Sequence, residues 1–412
     1  MGAGRGSRKN PFERRCQHLG AAATAFVLVA ALSLQAAPQV EAEQQIIGSI
    51  CDASGMAIGG GLSNQIMQVA WLVRHCCEAV APHRNAPRRG VVILPTIFSD
   101  LSPESPTVTF DQLFDFHTFA GGMKALQGCI VLGSKEDLSH RTAAGELAVD
   151  RDSWTRITPT YCGMTYGDEP DSWLPHVYGS LAISRRLRDM SYDDCYSAIH
   201  GMENQTIAVH LRMERDWYPT TCGKWEKAMK TRVCYTPKEV MRKLMHTREL
   251  LGYKTALLLY AEDRTPAFKG VKEVFAKKFE VRTVATTPGC RLKRLSYGER
   301  SVVSFFLGAS SSIIVGTHHS TFSNMMRLHR ERQGIWSRNY LYDCSPKVGT
   351  KAKKTAVAGL TLALPYHGHH QEARACGHKV LTLKPIKVAG VNDHGDSWWA
   401  KVLHNQTGEL GR

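Results

Sequence analysis

The sequence predicts an α/β fold with two Rossmann-like domains facing a cleft, and three observations favour it. Short apolar runs alternate with amphipathic helical stretches from residue 45 to about residue 332, the pattern of parallel sheets covered by helices. This alternation comes in two halves. The chain has 412 residues, more than one hydrophobic core usually serves. We place the domains at 45–200 and 201–345, after an N-terminal segment (1–44) and before a basic extension (346–412).

The first half contains predicted strands of mainly apolar residues, at 45–51, 91–95 and 129–134. A helix is predicted over 63–80, because Ile66, Val69 and Val73 recur at helical spacing. A further helix is predicted over 180–190.

The second half repeats this pattern more clearly. Strands are predicted at 206–211, 255–260, 279–284 and 312–316. Thr236-Pro-Lys-Glu239 is a capping box with proline at the first helical position, and it opens a predicted helix that runs to about residue 251. Further helices are predicted at 266–279, 298–309 and 320–332.

Composition and charge narrow the class of protein. The hydrophobic fraction of 43% and the charged fraction of 22% are those of an ordinary globular chain. The net charge of +15 favours an anionic ligand or a membrane surface, or serves solubility alone. A nucleic-acid partner is not expected, because no nucleic-acid-binding motif is present and the chain carries a secretory segment.

That segment begins the chain. Residues 1–18 are rich in Arg and Lys, and residues 19–37 are apolar and uncharged, as in a signal peptide or signal-anchor. We prefer an uncleaved anchor because the basic flank is long, with a cleaved signal as the alternative. The protein would then be a single-pass type II membrane protein of the endoplasmic reticulum or Golgi, held through this segment and facing the lumen.

Sequons and cysteines agree with that compartment. Asn204 and Asn405 begin N-glycosylation sequons. Eleven of the 12 cysteines follow the apolar segment, and we expect disulfides mixed with buried thiols. Cys222 and Cys234 are placed to close a short loop, and Cys129 is predicted to be a buried strand residue.

A glycine-rich segment, Gly59–Gln65, lies between a predicted strand and a predicted helix. Glycines allow close backbone approach, and a helix N-terminus offers free N–H groups to an anion. The segment departs from GxGxxG after Gly61, so a nicotinamide site is not supported. A plain strand-to-helix turn is the alternative.

Two further segments end strands of the second half. His210 and Arg212 close a strand, and ligands of parallel sheets bind beyond the carboxyl ends of strands. Arg212 suits a diphosphate, or alternatively pairs with Glu214 or Asp216. Later, a helix begins at Ser320 or Thr321 with hydroxyl side chains that suit a second anion site.

Phe322, in the same late segment, would pack on a nucleotide or into the core. Together the three segments predict a nucleotide diphosphate bound between two domains. The His- and Cys-containing tail matches no standard zinc spacing, so no metal site is predicted there. Its candidate ligands are His367, His369, His370, Cys376 and His378.

The ordered set of segments resembles the GDP-fucose protein O-fucosyltransferase family and its plant and algal relatives. The resemblance covers residues from about 50 to 335, and AVHLRMERDW is its most specific part. The other segments are GGGLSNQ, VVILPTIF, FDQLFDFHTF, YGSLAISRRLRDM, LLYAED and SSIIVGTHHSTFSNMMRLHRER.

The resemblance implies a GT-B-like arrangement and roles for particular residues. Asn64 would contact the donor sugar or phosphate, and His210 and Arg212 would hold the diphosphate and fucose. Thr321 and Phe322 would bind phosphate and nucleotide. The donor-binding set implied by the resemblance is completed by Gly61, Leu62, Ser63 and Ser304.

One departure from the family pattern concerns Ser304, which stands where the family usually has Asp. A contact to guanine or ribose would be lost, or supplied by Glu299 or Asp263. No catalytic carboxylate is evident in the glycine-rich segment, and no base for the acceptor hydroxyl is identified.

The resemblance implies an inverting, metal-independent transferase without a cofactor, with GDP-fucose as donor substrate and Arg212 as catalytic residue. The acceptor would be a Ser or Thr hydroxyl of a secreted or membrane glycoprotein. The alternatives are a fucosyltransferase acting on a glycan, of α-1,2 or α-1,6 type, and a catalytically silent lumenal relative that binds sugar or nucleotide sugar.

Overall fold

The computed structural model describes residues 45–54, 57–58, 61–78, 89–98, 107–124, 129–149, 154–155, 173–201, 205–213, 220–229, 232–259, 270–335, 337–343 and 361–362. Several predicted features lie outside these residues: the apolar segment, both sequons, the His-containing tail, Glu214, Asp216 and Asp263. Within the described part of the chain, no helix is both long and apolar enough to cross a bilayer.

The first half forms a parallel sheet of five strands. They are β1 (Gln45–Asp52), β3 (Arg89–Ile93), β6 (Cys129–Leu132), β7 (Leu147–Val149) and β8 (Trp154–Thr155). The order is β6-β3-β1-β7, and β8 also pairs with β1. A small second sheet contains β2 (Ala57–Ile58), β4 (Thr96–Phe98) and β5 (Thr107–Val108). The three predicted strands of this half are confirmed.

The helices of this half follow the strands, as parallel pairing requires. They are α1 (Leu62–Glu78), α2 (Phe110–Leu113), α3 (Phe116–Lys124), α4 (Lys135–Ala143), α5 (Trp173–Gly179), α6 (Arg185–Leu187) and α7 (Asp193–His200), with a π-helical turn, Arg188–Tyr192, joining α6 to α7. The helix predicted over 63–80 corresponds to α1.

The helix predicted over 180–190 is misplaced. Ile183 pairs with Phe114 in an isolated bridge, which keeps this stretch extended. Ser184 then caps the helix by accepting a hydrogen bond from the N–H of Leu187. The helix therefore begins at Arg185, and its helical backbone runs on to His200.

The second half forms a sheet of six strands. They are β9 (Thr206–His210), β10 (Thr255–Leu259), β11 (Glu280–Thr283), β12 (Ile313–Gly316), β13 (Asn339–Leu341) and β14 (Thr361–Leu362). The order is β11-β10-β9-β12-β13-β14, parallel except for the β13–β14 pair. The first five strands thus have the doubly wound order 3-2-1-4-5, which reverses direction between β9 and β12.

Capping residues set the helix boundaries of this half. The helices are α8 (Thr220–Met229), α9 (Pro237–Met245), α10 (Val271–Ala276), α11 (Tyr297–Ala309) and α12 (Thr321–Arg332). Thr236 and Ser296 form reciprocal capping boxes, with Glu239 and Glu299 respectively. The predicted capping box at Thr236 is confirmed, but its helix ends at Met245, before a short 3₁₀ turn at Arg248–Leu250.

The largest cluster of buried apolar side chains draws on both halves of the chain. It includes Ile66 and Val73 of α1, Val303 and Leu307 of α11, and Met326 of α12. The outer faces of the two sheets have separate clusters, so each sheet is covered on both sides. The described residues from 45 onward belong to one compact unit. The predicted boundary near residue 200 falls between the two sheets and stays a prediction.

All eight cysteines in the described residues form disulfides. The pairs are Cys51–Cys76, Cys77–Cys129, Cys195–Cys290 and Cys222–Cys234. The loop closed by Cys222 and Cys234 is as predicted, and Cys129 is a buried strand residue, but one whose sulfur is bonded. Two adjacent cysteines at the end of α1 tie this helix to β1 and β6 on either side of β3.

This end of α1 lies so close to β3 that Gly90 has no room for a side chain. A Cβ at Gly90 would lie 2.7 Å from the carbonyl oxygen of Cys76. We expect Gly90→Ala to lower the free energy of unfolding by about 1–3 kcal/mol, because overpacking forces the helix and the strand apart. Denaturant titration under non-reducing conditions measures the change.

Gly121→Ala is the matched control for this prediction. Gly121 is an exposed residue of α3, and a Cβ there would meet nothing within 4 Å. Alanine should be neutral or stabilising by up to about 1 kcal/mol, because it has the higher helix propensity. A Gly90→Ala protein as stable as Gly121→Ala would contradict the close packing described here.

Candidate functional site

The structure brings the three predicted segments together at the carboxyl edge of the six-stranded sheet. Ligands of doubly wound sheets bind where the strand order reverses, which here is the gap between β9 and β12. His210 ends β9, and the turn that leads into α12 follows β12. The start of α1, from the first half of the chain, reaches the same place through hydrogen bonds to Thr321.

Hydroxyl and amide groups join the starts of α1 and α12. The hydroxyls of Ser63 and Thr321 are 2.8 Å apart, and Thr321 Oγ1 donates to Asn64 Oδ1 at 3.0 Å. Ser63 therefore donates to Thr321, because the proton of Thr321 is used on Asn64. Each helix starts with backbone N–H groups that no residue of its own helix accepts. Two such partly positive ends thus meet through three polar side chains.

Gly61 and Leu62, the other two residues predicted to bind the donor at this turn, make contacts within the protein. The carbonyl of Gly61 accepts the N–H groups of Asn64 and Gln65, which forms the first turn of α1. Leu62 is buried and packs into the apolar cluster shared by both halves. A ligand at this turn would therefore meet Leu62 only through its backbone.

His210 is buried and makes a hydrogen bond within the protein. Its Nδ1 lies 2.7 Å from Ser323 Oγ, which also accepts the backbone N–H of Thr317. Ser323 fits here because residue 316 is glycine: a Cβ on Gly316 would come within 2.6 Å of the serine oxygen. Burial, assisted by the nearby positive charge of Arg212, lowers the pKa of His210 to about 3. The ring is therefore neutral at physiological pH.

Arg212 is the charged group at the tip of β9, and it is only partly buried. Its guanidinium donates through Nη1 to the backbone carbonyl of His319, in the turn before α12. Its backbone N–H points to the hydroxyl of Tyr342, 3.4 Å away. The cation is thus held beside the start of α12.

Phe322 packs against the protein core, which is one of the two roles predicted for it. Its half-buried ring lies 5.1 Å from the ring of His210 and 6.3 Å from that of Phe305, against the shared apolar cluster. Contact between Phe322 and a nucleotide stays a prediction.

Ser304 lies partly exposed in the middle of α11. Among the hydrogen bonds of the described residues, none links Ser304 to His210, Arg212 or Thr321. Glu299, the proposed substitute for the missing Asp, is already engaged: its carboxylate accepts the N–H of Ser296 and pairs with Arg186.

Asp343 is a site residue that the sequence analysis missed. It follows β13, which pairs with β12, and only 2% of it is exposed. Its carboxylate accepts the hydroxyl of Thr317 and, at 2.9 Å, the N–H of His318. The sequence contains only a weak signal for it: a short aromatic-containing stretch at 339–342 is followed directly by an ionisable residue.

Groups of three or more His, Cys, Asp or Glu side chains with metal-binding geometry do not occur among the described residues. Among the described residues, the site offers the guanidinium of Arg212, two helix N-termini and several hydroxyls. Such a set suits a polyanionic ligand, because a guanidinium and free backbone N–H groups are both strong donors to phosphate oxygens.

Comparisons with known proteins found distant structural similarity only. No protein-family model matches the chain, and no curated protein matches it. A crystal structure of POFUT1 in complex with GDP-fucose overlaps with 74% of this chain and 99% of its own, at 13% identity and a TM-score of 0.43. A POFUT1 structure with GDP overlaps with 72% and 97%, at 12% identity and a TM-score of 0.43.

A mutant of Arabidopsis thaliana FUT1 in complex with GDP overlaps with 80% of this chain and 77% of its own. Its identity is 11% and its TM-score 0.36. Similarity at these levels does not establish a shared family or function. The fold and site in themselves define an α/β protein with two mainly parallel larger sheets and, where the strand order of one of them reverses, a site suited to an anion.

The neutral state of His210 gives a testable pH dependence. In the unfolded chain this histidine takes up a proton below about pH 6.5, whereas in the folded protein it does so only near pH 3. Stability is therefore fully present above pH 6.5 and is lost as the pH falls towards 3. We expect His210→Asn to flatten the slope of unfolding free energy against pH by up to about 1.4 kcal/mol per unit below pH 6.5.

His140→Asn is the control, since His140 is exposed on α4. Denaturant titrations of the wild type and both variants between pH 7 and pH 5 measure the slopes. The test concerns the slope, because His210→Asn also lowers stability at every pH through lost packing. Equal slopes for the wild type and His210→Asn would show that the ring is not held neutral.

Proposed function

We propose that the protein is an inverting fucosyltransferase that moves fucose from GDP-fucose to a Ser or Thr hydroxyl of a secretory-pathway glycoprotein. The observation that carries the proposal is the meeting of two helix N-termini, α1 and α12, beside the guanidinium of Arg212. Like poles of two helices repel one another, and a diphosphate between them would stabilise both. The choice of fucose rests on the resemblance of the AVHLRMERDW segment and its ordered companions to the O-fucosyltransferase family.

The roles of the residues follow from how charge moves in such a reaction. As the bond between fucose and phosphate breaks, positive charge grows on the sugar and negative charge on the departing GDP. Arg212 and the N–H groups at the start of α12 would stabilise that negative charge more strongly than they bind the intact donor, which lowers the barrier. Ser63, Asn64 and Thr321 would orient the phosphates.

His210 has a different role in this proposal from the one first expected. Because its ring is neutral and buried, it would support Ser323 and Phe322 from below the ligand. Arg212 would then supply the charge at the strand tip. If His210 contacts the donor directly, it would do so through Nε2, because Nδ1 is hydrogen-bonded to Ser323.

The proposed location is the lumen of the endoplasmic reticulum or Golgi, with residues 19–37 as a membrane anchor. The four disulfides support it, because they persist in an oxidising compartment and are rare in the cytosol. A lumenal position would also bring the site to secreted acceptors.

Replacing Arg212 tests the proposal directly. We expect the wild-type full-length chain to bind GDP in calorimetry and to release GDP from GDP-fucose. Arg212→Ala should lower turnover by about 10²- to 10³-fold, because one transition-state donor is lost. Arg212→Lys should be intermediate, since lysine keeps the charge but not the planar fork. Arg185→Ala, at a side chain that is 93% exposed, should match the wild type.

The outcomes separate the candidate functions. GDP binding without any release of GDP would favour the catalytically silent relative, for which Ser304 is the motivating feature. Absence of both would exclude the fucosyltransferase. Incubation with GDP-fucose and a panel of folded Cys-rich domains and free glycans, read by intact mass, then distinguishes a protein acceptor from a glycan.

Metal independence is a separate expectation. Arg212 and the two helix N-termini supply the positive charge that a divalent cation supplies in other transferases. GDP release should therefore stay within about twofold after dialysis against EDTA, a change well below the 10²-fold cost of losing one such donor. Loss of activity that Mg²⁺ or Mn²⁺ restores would show that a cation takes part.

A further inference from the structure

The carboxylate of Asp343 lies at the same sheet edge as Arg212 without touching it. Asp343 follows β13, and His318 and Thr317 follow the neighbouring strand β12. Burying a carboxylate is costly unless its oxygens are hydrogen-bonded, and Asp343 is 2% exposed.

Both oxygens of Asp343 hold the turn between β12 and α12. Oδ1 accepts the backbone N–H of His318 at 2.9 Å, and Oδ2 accepts the hydroxyl of Thr317. The oxygen of Thr317 in turn accepts the N–H of His319 at 3.2 Å. Asn324, from the first turn of α12, donates to the carbonyl of His318 at 3.0 Å. Three successive peptide units are thereby fixed.

The carbonyl of His319 is the next group along this turn, and it accepts the guanidinium of Arg212. The orientation of that carbonyl depends on the bonds that Asp343 and Thr317 make on its N-terminal side. We propose that Asp343 is the positioning residue for Arg212, acting through the 317–319 turn. The proposal rests on the function proposed above and adds a residue to its machinery.

Asp343 is not suited to act as the base for the acceptor hydroxyl. Its side chain is fully buried and both oxygens already accept hydrogen bonds. It also contributes to the local balance of charge: burial lowers the pKa of Lys243, and the charge of Asp343 opposes that change. The residue therefore belongs to the support of the site and not to its reacting groups.

A double-mutant cycle distinguishes positioning from a general structural role. We expect Asp343→Ala to reduce the rate of GDP release by about 10²-fold, the cost of misplacing a catalytic group by about 1 Å. In the Arg212→Ala background the same change should cost less than about twofold, because the group it positions is already absent. Equal losses in both backgrounds would overturn the proposal.

Variants of Thr317 provide a second route if Asp343→Ala does not fold. Thr317→Val removes the hydroxyl but keeps the shape, and should reproduce the loss. Thr317→Ser keeps the hydroxyl and should restore most of the rate. Asp189→Asn is the charge control, since Asp189 is an exposed carboxylate paired with Arg185. A Thr317→Val protein with the wild-type rate would also count against positioning.

A crystal structure of Asp343→Ala, or of Thr317→Val, gives a readout that needs no donor. We expect Arg212 to have left the carbonyl of His319. An Arg212 still bound there would overturn the proposal whatever the kinetics. If the wild type neither binds GDP nor releases it, the proposed function fails, and the crystallographic result alone decides whether Asp343 positions Arg212.

Discussion

The hydroxyl of Thr321 joins the two halves of this chain at the point where their chemistry meets. It accepts a hydrogen bond from the hydroxyl of Ser63 and donates one to Asn64 Oδ1, so helix α1 of the first half and helix α12 of the second start from one contact. A shift of either helix by one residue would break both hydrogen bonds. The packing of the shared apolar cluster beneath keeps both helices in register with it.

This contact places two partly positive helix ends together, an arrangement that costs free energy when no anion is bound between them. The hydrogen bonds among the three side chains offset part of that cost. Arg212 adds a full positive charge, whereas His210 adds none, because burial keeps the ring neutral. The positive charge of the site therefore comes from Arg212 and the two helix starts and not from His210. A ligand with several negative oxygens is the natural complement.

Features that depend on residues close together in the chain were predicted from the sequence, whereas features that depend on contacts between distant residues were not. The boundaries at Thr236 and Ser320 follow from capping chemistry, which involves only residues a few positions apart. The helix near residue 185 was misplaced because the Ile183–Phe114 bridge joins residues distant in the chain. Strand order was predicted only as a class, since pairing depends on packing that no short segment contains.

The candidate site shows the same division. His210, Arg212 and Thr321 were identified because each follows an apolar run and belongs to a motif. Asp343 was not identified, because its hydrogen-bond partners His318 and Thr317 lie 25 and 26 residues earlier in the chain. No motif spans that separation. Its position became evident only when β13 was seen to pair with β12.

Recognition of a nucleotide base by this site would be limited by the interactions that the side chains of α11 already make. Burial raises the pKa of Glu299, but hydrogen bonds to Ser296 and Arg186 outweigh it, so the net shift is downward and the carboxylate is ionised. Turning Glu299 towards a ligand would break its half of the capping box of α11 and remove the carboxylate that pairs with Arg186. If the protein is a fucosyltransferase as proposed, Ser304 would offer a single hydroxyl at the position where the family it resembles usually has an Asp carboxylate. Donor affinity would depend correspondingly more on the diphosphate, and therefore on Arg212 and the two helix starts.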